Sequence, residues 1–419
     1  MKRLVIIGGG AAGLKAATRA NFVLKDSDAS VAVIEKNTRV ARKVMITGKG
    51  RCNVTNNCDN ETLILNTPKN GKFLYSAFSK FSSKDTMTFF ESLGVPLKTE
   101  RGNRVFPVSD KAVDIVDALF KVVKGGGAEI ICGEAQKIEV ENDKVKGVWL
   151  NDGTFLRADA VIIATGGASY PVTGSTGDGY RMAKELGHTV TEIKPSLVPL
   201  ECHEGFCSKL SGLSLKNVTL SIYEEGKKKS VYSEMGEMLF THFGISGPLV
   251  LSASAHLRYM DKKKYIAKID LKPALDVEQL DRRILRDFSE ELNKDFSNSL
   301  DKLLPKSLIP IVVQLSGISA DKKVNQISKE ERKTLVDIIK GLTLHIIGFR
   351  PIEEAIITSG GITVKEIDPA TMASKIVDGL YFAGEVIDVD AYTGGFNLQI
   401  AFSTGFLAGE SAATKITEE

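Results

Sequence analysis

The sequence predicts an α/β chain of more than one domain, built on a Rossmann-like dinucleotide-binding domain that the chain leaves and later re-enters. Three observations carry that reading. The apolar run Leu4–Ile7 feeds directly into Gly8-Gly9-Gly10-Ala11-Ala12-Gly13, a GxGxxG, and then into an Ala-rich helical segment. A second apolar run, Val31–Ile34, ends in Glu35, 22 residues after Gly13. Two further buried-strand runs, at 161–167 and 380–384, also end in glycine.

Each position of the opening motif has a physical job. Gly8 permits the tight turn, Gly10 lets the backbone approach a pyrophosphate, and Gly13 lets the helix pack on the strand. Ala12 belongs to the first helical turn, whose free N–H groups and positive potential suit phosphate. Glu35 is placed to accept hydrogen bonds from a ribose hydroxyl pair. A 2′-phosphate beside that carboxylate would be repelled, which argues against NADP as the nucleotide bound here.

After Glu35 comes a basic segment with Lys36, Arg39, Arg42 and Lys43, then the loop Ile46–Asn57, rich in Gly, Asn and Thr. Its Gly48, Gly50, Arg51, Cys52 and Asn53 can offer backbone N–H groups, an amide and a guanidinium to a bound cofactor. Cys52 has no partner cysteine nearby and reads more simply as a packing residue. A helical, Phe-rich pattern covers 72–95, Arg101–Val108 reads as extended, and Ala112–Val123 as a helix. Strands follow at Glu129–Cys132, Ala135–Glu141, Val145–Leu150 and Thr154–Leu156, with Ala135 leading away from the edge where an adenine belongs. Ala160–Ile163 then opens into Ala164-Thr165-Gly166-Gly167, placing small residues where a sheet's carboxyl edge meets a ligand crevice.

From about Val190 the texture changes. Alternating pieces between Val198 and Thr241 predict a small β-rich domain, with Lys227–Lys229 and Lys262–Lys264 as solvated turn tips. Residues from Asp276 to about Leu304, and Lys329–Lys340, predict a small helical domain. The resulting division is 1–190, 191–270, 271–340 and a return over 341–419. In the return, the run Gly379–Asp388 reads as a buried strand ending at Gly384-Glu385, and Thr393-Gly394-Gly395 opens a last helix through Asn397, Leu398 and Gln399.

A length of 419 residues agrees with two or three domains. Lys plus Arg number 55 against 52 Asp plus Glu, a net +3, too balanced for a nucleic-acid-binding protein, so no nucleic-acid partner is expected. Five cysteines without a CxxC fit free thiols in a reducing cytoplasm, and no metal site is read. Met1-Lys2-Arg3 resembles the start of a signal peptide, but glycines break the apolar region that follows. No apolar stretch approaches the ~18 residues that cross a membrane.

Three glycine-ended strands are most economically explained by one elongated cofactor touching all three, which points to FAD rather than to NAD alone. The motifs GGGAAG, TGKGRCNVTNN, ATGGASYPVTGSTGDGY, FTHFGISGP, TSGGI, TMASKIVDGLYFAGEVIDVDAYTGGFNLQ and AFSTGFLAG resemble a bacterial family of NAD(P)/FAD-dependent oxidoreductases, the aminoacetone oxidase-like or bile-acid dehydro-reductase-like flavoproteins. The likeness covers essentially the whole chain. It implies the two-dinucleotide-binding-domain flavoprotein fold, with a β-barrel-like domain and a small helical domain inserted. It also implies FAD contacts at Gly8–Gly13, Glu35, Gly48–Asn53, Thr165-Gly166, Gly384-Glu385, Asp388 and Asn397–Gln399. Two positions depart from the pattern: Lys49 and Ala391 stand where glycine is expected.

No second GxGxxG holds a pyridine nucleotide, so NADH or NADPH, if used, must dock transiently. His242, in the small-residue loop Thr241–Pro248, is a candidate general acid for enone reduction, against a structural histidine tied to its loop. Tyr392 is a second candidate. Two chemistries follow from the likeness: NAD(P)H-driven reduction of an activated C=C, as in a steroid-like enone, or oxygen-dependent oxidation of a small amine or amino ketone. An RNA-associated flavoprotein and a non-catalytic redox sensor are the readings from other classes. The sequence leaves substrate and oligomeric state open.

Overall fold

The computed structural model describes residues 2–257 and 259–418, and of residues 47 and 49 the backbone. The chain forms two compact units, one of residues 1–196 with 352–419, the other of residues 197–351.

The first unit is built on a parallel sheet. Its elements are β1 (Arg3–Ile7), α1 (Ala11–Leu24), β2 (Ser30–Glu35), α2 (Ala112–Gly125), β3 (Glu129–Cys132), β4 (Ala160–Ile163), β5 (Leu380–Phe382) and α3 (Phe396–Glu418). The strand order is β5–β4–β1–β2–β3, every neighbouring pair parallel. Leu4, Val5, Ile6, Val161, Ile162, Leu380 and Phe382 are all buried. That is why these strands read as continuous apolar runs: a parallel sheet covered on both faces has no wet side. The strand that joins the sheet beside β4 comes from near the chain's end, so the domain is completed only on the return.

Helices α1 and α3 pack closely because the contact is made of small residues. A Cβ added to Gly405 would lie 2.3 Å from the Ala12 carbonyl oxygen, and one on Gly409 2.3 Å from that of Ala16. The spacing of four on both helices puts the glycines of one face against the alanines of the other.

Smaller pieces hang on this frame. Ala135–Glu141, Lys144–Leu150 and Phe155–Arg157 form an antiparallel sheet. The Phe-rich pattern over 72–95 is two helices, Tyr75–Lys80 and Ser83–Ser92. The break falls at Ser82, whose side chain caps the second helix while Asp85 bonds back to its N–H. Lys194–Ser196 and Ile357–Ser359, where the chain leaves and re-enters the unit, pair antiparallel.

The second unit is a closed six-stranded barrel. Its order is Leu200–Cys202, Gly244–Ser246, Ser230–Thr241, Ser214–Glu224, Tyr265–Asp270 and Leu342–Phe349, returning to the first. Leu215, Val218, Leu220 and Ile222 point inward, with a bulge between Leu215 and Val218 where Asn217 takes φ +55°. Helices Val277–Ser289, Ile309–Ser316 and Lys329–Lys340 sit between the fifth and sixth strands in the chain. The sixth strand, placed by the sequence reading in the returning dinucleotide-binding segment, is what closes the barrel, because its alternation of Leu342, Leu344 and Ile346 supplies the missing inner face. Among the described residues no helix is long and apolar enough to cross a membrane.

Candidate functional site

The carboxyl ends of β1, β2, β4 and β5 bring the glycine turns together along one sheet edge. Gly8 has φ +107°, and its amide donates to the Ile34 carbonyl at 2.9 Å. A Cβ there would lie 2.5 Å from the Ala164 carbonyl oxygen, so only glycine fits between β1 and β4. A Cβ on Gly13 would fall 1.9 Å from the Gly8 carbonyl oxygen, which fixes Gly13 as the contact between helix and turn. At Gly10 an added Cβ would meet nothing within 4 Å. The middle glycine thus faces open space while the outer two are jammed against backbone. This is the division of labour expected of a pyrophosphate cradle. From the β5 end, Gly384, at φ +77°, closes on the cradle, where an added Cβ would meet the Ala12 Cβ at 2.8 Å.

Glu35 is buried at the end of β2. Its Oε2 accepts from the Gly9 amide at 3.0 Å, and its Oε1 from the Asn37 amide at 2.8 Å and side chain at 2.7 Å. These bonds fix the carboxylate beside the glycine turn. Ala135 is buried three residues beyond Cys132, the register partner of Glu35, and the intervening Gly133 amide donates to the Glu35 carbonyl at 3.0 Å. The Ala135 backbone is therefore led off the same corner of the sheet. Thr165, after β4, has a buried hydroxyl with no hydrogen-bond partner, and Gly166 beside it takes φ +74°.

The second helix end at the site is that of α3. In its first turn the amides of Asn397 and Leu398 have no intrahelical partner, while that of Gln399 donates to the Gly395 carbonyl. The turn before it is pressed onto the 50s loop: a Cβ on Gly395 would lie 2.3 Å from the Thr55 carbonyl. With its amide oriented to satisfy its neighbours, Asn53 accepts from the Gly395 amide at 2.9 Å and donates to the Thr55 carbonyl at 3.0 Å. Asn56 donates to the Gly394 carbonyl at 3.0 Å.

Several expected cofactor side chains are engaged elsewhere. Arg51 ion-pairs with Glu100 and Asp110, each at 2.5 Å, and lies 4.2 Å over the Phe106 ring, so its guanidinium is committed to the loop's own fold. Those carboxylates raise its already high pKa. Gln399 uses all four of its bonds internally: its oxygen accepts from Thr55 and Thr86, and its nitrogen donates to the Phe81 carbonyl and Ser403. Asn397 uses its amide to hold Ala391, accepting from its N–H and donating to its carbonyl, both at 2.9 Å. Only the Asn397 and Leu398 backbone remains to face a ligand. Cys52 is fully buried at φ +58°, its thiol pushed up to about 12 by burial, which makes it inert packing.

Two lysines act as ties. Lys36 reaches Thr176 at 2.5 Å and Asp178 at 2.6 Å, anchoring the Gly/Thr loop after β4. Lys43 lies 2.7 Å from both the Ser169 hydroxyl and Glu385. Glu385 also accepts from the Thr358 amide at 2.8 Å, so residues from four distant segments share one charged knot. Sequence reasoning missed Thr358 in this role, although TSGGI had been singled out. It also missed Lys69, whose ammonium lies 2.5 Å from the buried Asp388 carboxylate. Gly48 and Gly50 take positive φ in a short helical turn, and a Cβ on Gly50 would meet nothing within 4 Å.

Tyr392 is half-buried, its amide donating to the Asn66 carbonyl at 3.0 Å. His242 belongs to the second unit. With Phe243 it forms the two-residue turn between Ser230–Thr241 and Gly244–Ser246, and its exposed ring stands edge-on to Phe243 at 5.0 Å. Arg350 covers Phe243 at 4.5 Å and pairs with Glu201 at 2.8 Å.

These residues fit FAD: open space at Gly10, an unpartnered buried Thr165 hydroxyl, a fixed Glu35 carboxylate and the N-termini of α1 and α3 on one sheet edge. Gly8–Gly13 and Glu35 would hold the adenosine diphosphate half. The backbone of Gly384-Glu385, Asp388 and Asn397-Leu398 would meet the other.

Comparison with known proteins agrees. A family model described as HI0933-like protein Rossmann domain matches residues 2–411. The chain is 31% identical over 99% of its length to the whole of a 3-dehydro-bile acid delta(4,6)-reductase of Clostridium scindens. It is also 33% identical to a ribosomal RNA dihydrouridine synthase of Haemophilus influenzae, covering 96% of both chains. Among solved structures, a 3-ketosteroid delta1-dehydrogenase of Sterolibacterium denitrificans superposes with a TM-score of 0.54 at 12% identity, covering 99% of this chain and all of that one. The synthase name weighs against the expectation that no nucleic acid is a partner, since net charge is a sum over the chain and hides local excess. The chain belongs to the HI0933-like Rossmann family and is an FAD-dependent oxidoreductase.

Proposed function

We propose that the protein reduces a carbon–carbon double bond conjugated with a carbonyl, with NADH or NADPH as a transiently docking electron donor. The observation that carries this is the pair of helix N-termini on one sheet edge. That of α1 suits a pyrophosphate, and that of α3 favours negative charge at the opposite end of the site. Bound FAD supplies the two-electron chemistry. The chain's own residues hold it, exclude water with the buried strand ends, and deliver a proton. Tyr392 is the proposed proton donor within the first unit. His242 remains a second candidate, for which His242→Ala is expected to slow turnover without loss of FAD.

The names of the two relatives support one chemistry rather than two. A delta(4,6)-reductase acting on a 3-oxo steroid and a dihydrouridine synthase both saturate a C=C conjugated with a carbonyl, in a steroid enone or in a uracil ring. The test is anaerobic turnover with NADH or NADPH and each acceptor. The reading expects the acceptor to gain two hydrogens. Turnover only with a small amine or amino ketone, consuming oxygen, would instead assign an oxidase.

A further inference from the structure

The barrel unit holds all of the chain's excess of basic over acidic residues. Part of that excess is concentrated. Lys227, Lys228 and Lys229 occupy the tip joining Ser214–Glu224 to Ser230–Thr241, and Lys262–Lys264 lead into Tyr265–Asp270. In the sequence these are two separate turn tips. In the barrel they are neighbours, because Glu224 pairs with Tyr265 and the Glu225 amide donates to the Lys264 carbonyl at 2.9 Å. Adjacent strands lie about 4.8 Å apart, so six ammonium groups crowd one rim.

Of these, Lys263 is neutralised by Glu224 at 2.7 Å. Among the described residues Lys227, Lys228, Lys229, Lys262 and Lys264 have no carboxylate partner, and all five are exposed. The helical segment of the same unit is treated differently. There Lys294, Lys302, Lys322, Lys323 and Lys340 each sit against an acid. Against the six lysines of the rim the same two tips carry Glu224, Glu225 and Asp261, so the rim keeps a net charge of about +3 and suits an anionic partner. Aromatic surface is interleaved with the charge. Tyr259 is 54% exposed with the Lys263 ammonium 5.3 Å from its ring, and Lys268 lies 5.6 Å over Tyr223.

We propose that this rim binds single-stranded RNA, the free lysines taking phosphates and Tyr259 offering its face to a base. Closely spaced cations with an exposed ring suit a polyanion whose bases are unpaired, and the inference rests on the uracil form of the reading above.

The experiment uses the full-length, FAD-loaded protein and a fluorescently labelled, uridine-containing single-stranded RNA, with anisotropy measured over a salt series. Wild-type affinity should fall steeply with salt. Reversing three charges in K228E/K262E/K264E should weaken binding about tenfold or more and reduce the salt slope by about 2, at ~0.7 per phosphate lost. Tyr259→Ala should weaken binding by roughly tenfold with little change in slope. FAD content and flavin spectrum check folding, and the milder K228Q/K262Q/K264Q should follow in the same direction. Unchanged affinity and slope in the charge variants would overturn the proposal. So would wild-type protein that ignores RNA, or that binds phosphatidylserine vesicles without competition from RNA. The two readings fail separately. RNA held by the rim but never reduced would sink the uracil chemistry alone, and RNA reduced equally well by the charge variants would sink the rim alone.

Discussion

Lys15, on α1, is 3% exposed, with its ammonium 3.8 Å from the centre of the Phe81 ring and 3.4 Å from that of Phe89. Burial, with the nearby charge of Arg19, lowers its pKa from 10.5 to about 7 despite Asp85. Between those values the unfolded chain holds a proton that the folded chain has released, so stability rises with pH across that window. Lys15→Met should therefore raise the melting temperature at pH 7 by the equivalent of a few kcal/mol and flatten its rise toward pH 10. An unchanged pH slope would contradict the assignment. Glu35 makes a second prediction at this scale. Its carboxylate is held beside the glycine turn by three N–H donors. Glu35→Arg puts a cation where ribose hydroxyls need an acceptor, and should lower FAD stoichiometry after gel filtration; full retention would remove Glu35 from the site. Both residues show what a sequence can reveal. Glu35 was legible because a strand, a glycine turn and an acid at fixed spacing specify one another. Lys15 was not, since its burial depends on rings from Phe81 and Phe89, far along the chain.

Among the elements, the α1–α3 contact decides whether the two helix N-termini share an edge. Each glycine of α3 there stands against a carbonyl of α1, Gly405 against Ala12 and Gly409 against Ala16. Gly405→Ala with Gly409→Ala should push the helices apart, costing about 1–3 kcal/mol for each overpacked position and loosening FAD. The check is the melting temperature of the double variant with and without added FAD. A variant as stable as wild type would show that the helices separate without cost. The closing AFSTGFLAG run was read as a motif, but its physical use, small residues at a helix crossing, required the partner helix. The same holds for the 50s loop. Its Gly, Asn and Thr content marked the segment for cofactor contact, whereas Arg51 answers Glu100 and Asp110, and Asn53 and Asn56 support the Gly394-Gly395 turn. Polar residues near a ligand site are as often its scaffold as its contacts, and only the hydrogen-bond partners tell them apart.

For the molecule as a whole, the α/β sheet, a β-rich second domain and the helical segment were legible from the order of apolar periodicities, while the barrel form of that second domain was implied by the family resemblance alone. The barrel's closure was not, because Leu342–Phe349 lies after the helices and its pairing with Leu200–Cys202 is long-range. Nor was the charge of the rim, which forms only when two lysine runs meet on paired strands. The central claim, reduction of a conjugated double bond, is tested most directly by reducing the FAD-loaded protein anaerobically with dithionite. It is then mixed with a steroid enone, with uridine-containing RNA, or with dissolved oxygen, while the visible flavin band is followed. The account predicts that the band returns rapidly with one of the two conjugated acceptors, which gains two hydrogens in stoichiometric amount. Return of the band with oxygen alone, leaving both acceptors unchanged, would contradict it.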